Sequence, residues 1–210
     1  RWHSGPTHAF PYGLVGYPML SGEPWTLNLA ERVDTKRIAR QLGGFLSEMH
    51  RVPVGAARQA GVDTALPREL VDELLPALPR YLDGASVCRF QKWWDQHTAH
   101  PERYAYVPRL LHGDLWCENV LLSADLSHAV GVIDFDQMRI GDPVSEFAAL
   151  RYVGRGFVES VRSCYGAPED LEPYFEERLR AATILREAGG LHYAIRFPDT
   201  GELDDAMAKV

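Results

Sequence analysis

Between residues 34 and 52 apolar side chains recur at Ile38, Leu42, Phe45 and Met49, steps of four, three and four that line one face of a helix. Asp34 or Thr35 is placed to cap its start, and Pro53 to stop it near Val52. Leu70, Leu74, Leu75 and Leu78 predict a second helix over 69–82, kinked or broken at Pro76, and Phe90, Trp93, Trp94 and His97 a third over 86–98. The pattern changes at 119–122 and 129–135, two short β-like runs around the turn-prone Ser-Ala-Asp-Leu-Ser, which predict a hairpin. Asp142 before Pro143 then reads as an N-cap and first-turn proline opening a helix through about Tyr152. Helical patterns follow at 155–165, 168–188 and 202–208. Upstream, FPYGLVGYPML at 10–20 is aromatic and broken by Gly and Pro, which predicts an extended strand running into a linker. No repeat or low-complexity tract interrupts this order. The fold class is therefore α+β: mainly helical, with a small hairpin in the middle and a strand at the start.

Composition narrows the function classes. At 210 residues, 46% hydrophobic and 24% charged, the chain lies in ordinary globular ranges. A net charge of −7 with scattered acids offers nucleic acid no basic stripe and favours a cationic partner. Cys88, Cys117 and Cys164 are odd in number and widely spaced, so they form neither a disulfide framework nor a CxxC zinc pair and read as reduced thiols. No apolar run approaches the ~20 residues of a membrane span, and no charged-then-apolar leader opens the chain. The expected setting is cytoplasmic, with no membrane partner. The chain opens on Arg1 with no Met before it, the pattern of a piece of a longer polypeptide.

The chemistry concentrates in LLHGDLWCENVLL at 110–122 and GVIDFDQMRIGDP at 131–143, which hold His112, Asp114, Asn119, Asp134, Asp136 and Asp142. A carboxylate flanked by Val132, Ile133 and Phe135, as Asp134 is, costs several kcal/mol to bury unless a partner compensates it. A hairpin would bring the Asn119 amide oxygen and the Asp134 carboxylate near one point, with Asp114 free beside them. Oxygen donors without clustered His or Cys favour Mg²⁺ over zinc.

The order His-x-Asp-x4-Asn, then Ile-Asp-Phe, then Gly-Asp-Pro, resembles the catalytic core of the aminoglycoside phosphotransferase family, which shares the protein-kinase-like fold. The resemblance implies that Asp114 orients and deprotonates a substrate hydroxyl, while Asn119 and Asp134 hold Mg²⁺ on the phosphates of ATP or GTP. His112 is expected to brace the loop, and Asp142 to act as a helix cap and tether. Asp136 stays open between metal and solvent. Residues 1–22 resemble the last N-lobe strands and hinge, where the backbone around Tyr17, Met19 and Leu20 would meet the purine edge. Pro18 has no N–H, so Met19 or Leu20 is the better donor. Leu121 and Ile133 would pack beneath the purine or serve as ordinary core. Residues 23–210 would form the helical C-lobe, with its catalytic loop at 112–119 and metal-binding segment at 131–143.

Two parts of such an enzyme are missing: GLVG at 13–16 is not a phosphate-covering glycine loop, and no lysine precedes Lys36. Most of the N-lobe is therefore expected to be absent from this sequence, and the fragment alone to be inactive. The expected activity is transfer of a γ-phosphate to a hydroxyl of a small, cationic molecule, an aminoglycoside foremost. Macrolide, homoserine or choline-type kinases and a non-catalytic binding module are the alternatives. Trp93 and Trp94 read as core, Trp116 as core or substrate wall, and His97 with His100 as packing or surface residues. Glu118, Asp95, Glu187, Asp199 and Glu202 are possible contacts for ammonium groups, although acids on helices are usually just solvated.

Overall fold

Helix α1 (Thr35–His50) begins where the Asp34 carboxylate accepts the Arg37 N–H at 3.0 Å. A computed structural model of the chain describes residues 2–209 except 6, 9–13, 17, 66, 199 and 200. The apolar face of α1, carrying Ile38, Leu42 and Leu46, is buried in a core with Trp25, Phe147, Phe157, Val158 and Val161. Helices α2 (Val54–Gln59), α3 (Pro67–Leu74) and α4 (Gly84–Ala99) follow, and α3 stops short of Pro76, which has no N–H to continue it. Val71 and Leu74 of α3 join Leu78, Phe90 and Trp94 in a second core. After the hairpin come α5 (Glu146–Leu150), α6 (Arg155–Ser163), α7 (Phe175–Arg196) and α8 (Leu203–Lys209).

The sheets are small and antiparallel. Strand β1 (Trp2–Ser4) pairs with β2 (Leu14–Gly16), and β3 (Glu23–Pro24), β5 (Val120–Leu122) and β6 (Ala129–Val132) form a three-stranded sheet in that order. Strands β4 (Arg109–Leu111) and β7 (Arg139–Gly141) make a separate pair. Residues 63–65 extend it, since Ile140 N–H donates to the Asp63 carbonyl and Ala65 N–H to the Ile140 carbonyl, both at 2.8 Å. Among the described residues no helix is long and apolar enough to cross a membrane.

Several boundaries differ from the sequence pattern for physical reasons. The second hairpin strand ends at Val132 rather than 135, because Asp134 takes a left-handed φ of +65° that leaves the strand. The β4–β7 pair was not anticipated, because three-residue strands carry too little alternation to register. The helix expected over 168–188 starts at Phe175, after Tyr174 at φ +65° and the Pro173 that lacks an N–H, and it runs on to Arg196. Gly189 and Gly190 do not stop it, because Ala188, Leu191 and Ala194 are buried against the second core. Since Phe175 and Leu179 belong to the first core, α7 spans both.

Arg178 fastens α7 to the segment after the hairpin. It is fully buried; Nε and Nη2 donate to Asp142 at 3.1 and 2.5 Å, and Nη1 donates to the Leu171 carbonyl at 2.9 Å. Asp142 also caps the turn that follows it by accepting the Val144 N–H at 2.9 Å. Removing one member of a buried pair strands the other, so Arg178→Met is expected to destabilise the fold by about 3 kcal/mol. Urea unfolding of the variant beside the unsubstituted chain measures this, and a midpoint within error of that chain's would show the pair to be dispensable.

Candidate active site

The loop after β4 turns at Gly113, where the backbone φ is +88° and a Cβ would lie 2.0 Å from the Gln137 carbonyl oxygen. Only glycine fits both the angle and the approach. This turn leaves His112 fully buried and brings Asp114 to the surface of a cleft. The His112 Nε2 lies 2.9 Å from the Ile133 carbonyl, which can only accept, so Nε2 carries the proton and Nδ1 is free to accept the Asp114 N–H at 3.3 Å. Burial pushes the imidazole below its ordinary value, which keeps it neutral. Phe135 packs on this ring, centroids 4.6 Å apart. His112 thus links the loop to the segment that carries Asp134.

The hairpin brings the remaining groups in. Ile133 N–H donates to the Asn119 carbonyl at 2.9 Å, which sets the two ends of the hairpin side by side. Asn119 Nδ2 donates to the Asp114 carbonyl at 2.9 Å and lies 3.4 Å from Asp114 Oδ2. The left-handed backbone at Asp134 turns its carboxylate out of the strand to an exposed position, so it is not buried among its apolar neighbours, and a hydrogen bond with Asp136 together with that neighbour's charge raises its pKa. Two carboxylates held together in this way suit a hard divalent cation. Among the described residues no three His, Cys, Asp or Glu side chains gather into a complete cage. A cation shared with phosphates needs only one or two protein oxygens.

The nucleotide-facing candidates are placed as follows. Tyr17 lies outside the described residues. Met19 is 93% exposed, and Leu20 lies over Gly131, where a Cβ would come within 2.7 Å of its Cδ1. Leu121 is buried and pairs across the hairpin with Gly131, and Ile133, two residues further on, is half-buried on the same face.

A cleft of about 1270 Å³ opens from Asp114 along α7. Trp116 stands in its wall with its ring edge-on to Tyr152 at 4.9 Å. Glu118, Glu187 and Glu202 line it too, whereas Asp95 is exposed on α4 outside it and Asp199 lies outside the described residues. Trp93 packs against the second core and Trp94 is buried within it.

Sequence reasoning missed three groups that hold the loop. Glu146 is 3% exposed; its Oε1 accepts the backbone N–H groups of His112 and Gly113 at 2.5 and 3.3 Å, and its Oε2 has no partner. Arg139 donates from Nη2 to the Gly113 carbonyl at 2.8 Å, and burial pushes its pKa down. Arg186 donates from Nη1 to Asp114 Oδ1 at 2.7 Å. A signal for Glu146 was present, since it is a lone charge amid Val144, Phe147 and Ala148 in a helical run. For Arg186, 72 residues from Asp114, there was no local signal.

Comparison with known proteins bears on this geometry. The sequence model of the phosphotransferase enzyme family matches residues 6–192. An uncharacterized Bacillus subtilis (strain 168) protein, YcbJ, is 24% identical over 155 residues, 67% of this chain and 49% of its own length. The chain thus spans about half of that curated relative. The solved GDP complex of aminoglycoside 2'-phosphotransferase-IIIa superposes with a TM-score of 0.82 at 22% identity, covering 98% of this chain and 71% of that one. Macrolide 2'-phosphotransferase type I gives 0.73 at 21% identity, covering 99% and 72%. These likenesses establish the protein-kinase-like fold, of which this chain is a mainly helical α+β example.

Burial pushes the Glu146 carboxyl up to about 7. Because the folded state holds its proton more tightly than the unfolded chain, this group's contribution is complete below about pH 4.5 and is lost as pH rises through 7. The stability of the unsubstituted chain minus that of Glu146→Gln is therefore expected to fall by about 3 kcal/mol between pH 4.5 and 8. Urea unfolding across that range tests it, and a constant difference would rule out a raised Glu146.

Proposed function

The chain belongs to the phosphotransferase enzyme family, and from that footing we propose that the whole protein moves the γ-phosphoryl group of ATP or GTP onto a hydroxyl of a small molecule, an aminoglycoside foremost. The observation that carries the reading is that Asp114 and Asp134 line one cleft, while Asn119 ties their segments together by donating to the Asp114 carbonyl and accepting the Ile133 N–H.

Asp114 accepts the acceptor's hydroxyl proton as the acceptor oxygen forms its bond to the γ-phosphorus. The bond from that phosphorus to the β–γ bridging oxygen breaks, and the nucleoside diphosphate leaves with its electron pair. Asn119 and Asp134 are the oxygen donors for Mg²⁺, which supplies neutralisation of the phosphate charge when bound. Leu20, Leu121 and Ile133 offer the purine an apolar bed on the hairpin face. The rest of the protein's work is positioning, which holds the reacting oxygen and phosphorus in line.

Glu118, Glu187 and Glu202 in the cleft wall support an acceptor bearing ammonium groups. A second reading, a bulkier and more apolar acceptor of the macrolide kind, draws support from Trp116, Tyr152 and Tyr193 in the same wall. The names of the solved neighbours include both classes. A panel of aminoglycosides, macrolides, homoserine and choline, assayed with the full-length protein for ADP or GDP release, separates them. Release with none of these acceptors would count against the small-molecule reading.

Two substitutions test the roles. Asp114→Asn is expected to lower kcat at least ~100-fold, the low end for loss of an acid–base group, and unchanged turnover would refute its role. Asp134→Asn is expected to abolish Mg²⁺-dependent nucleotide binding, and calorimetry showing normal affinity would remove Asp134 from the metal site.

A further inference from the structure

Three carboxylates, Asp114, Asp134 and Asp136, line the mouth of the cleft, and a bound triphosphate would add more negative charge there. Two of the neighbouring arginines are engaged in holding the backbone or a cap: Arg178 on Asp142 and the Leu171 carbonyl, Arg139 on the Gly113 carbonyl. Arg186 is different. Its Nη1 bonds Asp114 Oδ1 at 2.7 Å, and the side chains of the pair are 30% and 34% exposed, so the pair opens on the cleft. Its guanidinium carbon lies 5.9 Å from the Trp116 ring centroid, and Trp116 is itself braced by Tyr152, whose hydroxyl bonds Glu187. The arginine is thus held from two directions. A guanidinium has five N–H donors in a fixed fork, of which this bond to Asp114 takes one.

We propose that Arg186 is a positioning residue for phosphoryl transfer: it clamps Oδ1 of Asp114, so that Oδ2 is the oxygen presented to the acceptor hydroxyl, and it fixes a positive charge beside the point of transfer. This rests on the phosphotransfer reading. Asn119 Nδ2, 3.4 Å from Oδ2, is too distant to hold that oxygen firmly, so the orientation of the carboxylate depends on Arg186. A cation supplied in cis near the transferring group also offsets the charge spread over its oxygens.

The test uses the full-length protein carrying Arg186→Ala or Arg186→Lys, with hydrolysis of Mg-ATP and Mg-GTP to water as the probe reaction and nucleotide affinity read by calorimetry. Arg186→Ala is expected to lower kcat about 100-fold, the scale for losing one preorganised charge-stabilising donor, with nucleotide affinity unchanged. Arg186→Lys should recover part of the loss, and millimolar guanidinium chloride should restore part of the turnover of Arg186→Ala. Full turnover in Arg186→Ala, or a loss that neither lysine nor guanidinium recovers, overturns the proposal. A second readout needs no turnover: carbodiimide labelling of Asp114, followed by mass spectrometry, should be faster in Arg186→Ala at an unchanged melting temperature. Equal labelling means that Arg186 does not hold the carboxylate. Asp114→Asn keeps the two claims apart. If it turns over normally, the phosphotransfer reading itself falls; if it is inactive while Arg186→Ala is unimpaired, only the role of Arg186 falls.

Discussion

The site depends on a single buried carboxylate beneath its loop. Glu146 receives the N–H groups of His112 and Gly113 on one oxygen, and those two residues set the position of everything that follows. His112 reaches across to the Ile133 carbonyl, Gly113 turns the chain against Gln137, and Asp114 emerges from that turn into the cleft. A loop that must present a polar side chain to solvent on one side needs its backbone donors satisfied on the other, and an acid with no water around it is a strong acceptor for that purpose. The cost is a group whose ionised form is disfavoured by its surroundings.

Charge in the loop is organised by elements remote in sequence. Arg139, three residues after Asp136, secures the Gly113 carbonyl, while Arg178 and Arg186 arrive from α7 to meet Asp142 and Asp114. Strand β7 contributes one of these cations and helix α7 the other two. The cations set among these acids offset the repulsion between them.

How much of this was legible in the sequence follows from how local each interaction is. The run from His112 to Asn119 and the Asp134 to Asp142 segment stood out because their polar side chains are clustered between apolar runs, and the structure joins the two segments through the hydrogen bonds of Ile133 to His112 and Asn119. The helix at 35–50 was readable from its apolar step, and so was its cap at Asp34. The β4–β7 pair was not, since its strands are three residues long and are joined across the whole loop and hairpin. The limits of α7 were misjudged because burial of Ala188, Leu191 and Ala194 outweighs the poor propensity of the adjacent glycines. Arg186 could be found only in three dimensions, being an arginine on a helix in which Arg180 and Arg196 are exposed.

Arg178 and Arg186 stand eight residues apart on one helix, about 12 Å along its axis and about 80° apart around it. The stretch between them works as a ruler, with its length and phase set by hydrogen-bonded turns. Gaining or losing one residue there would swing the distal arginine about 100° around the axis while leaving the proximal one seated. Length polymorphism is consequently barred from this interval by geometry alone, even though Arg180 on its outer side faces open solvent and could vary freely in identity.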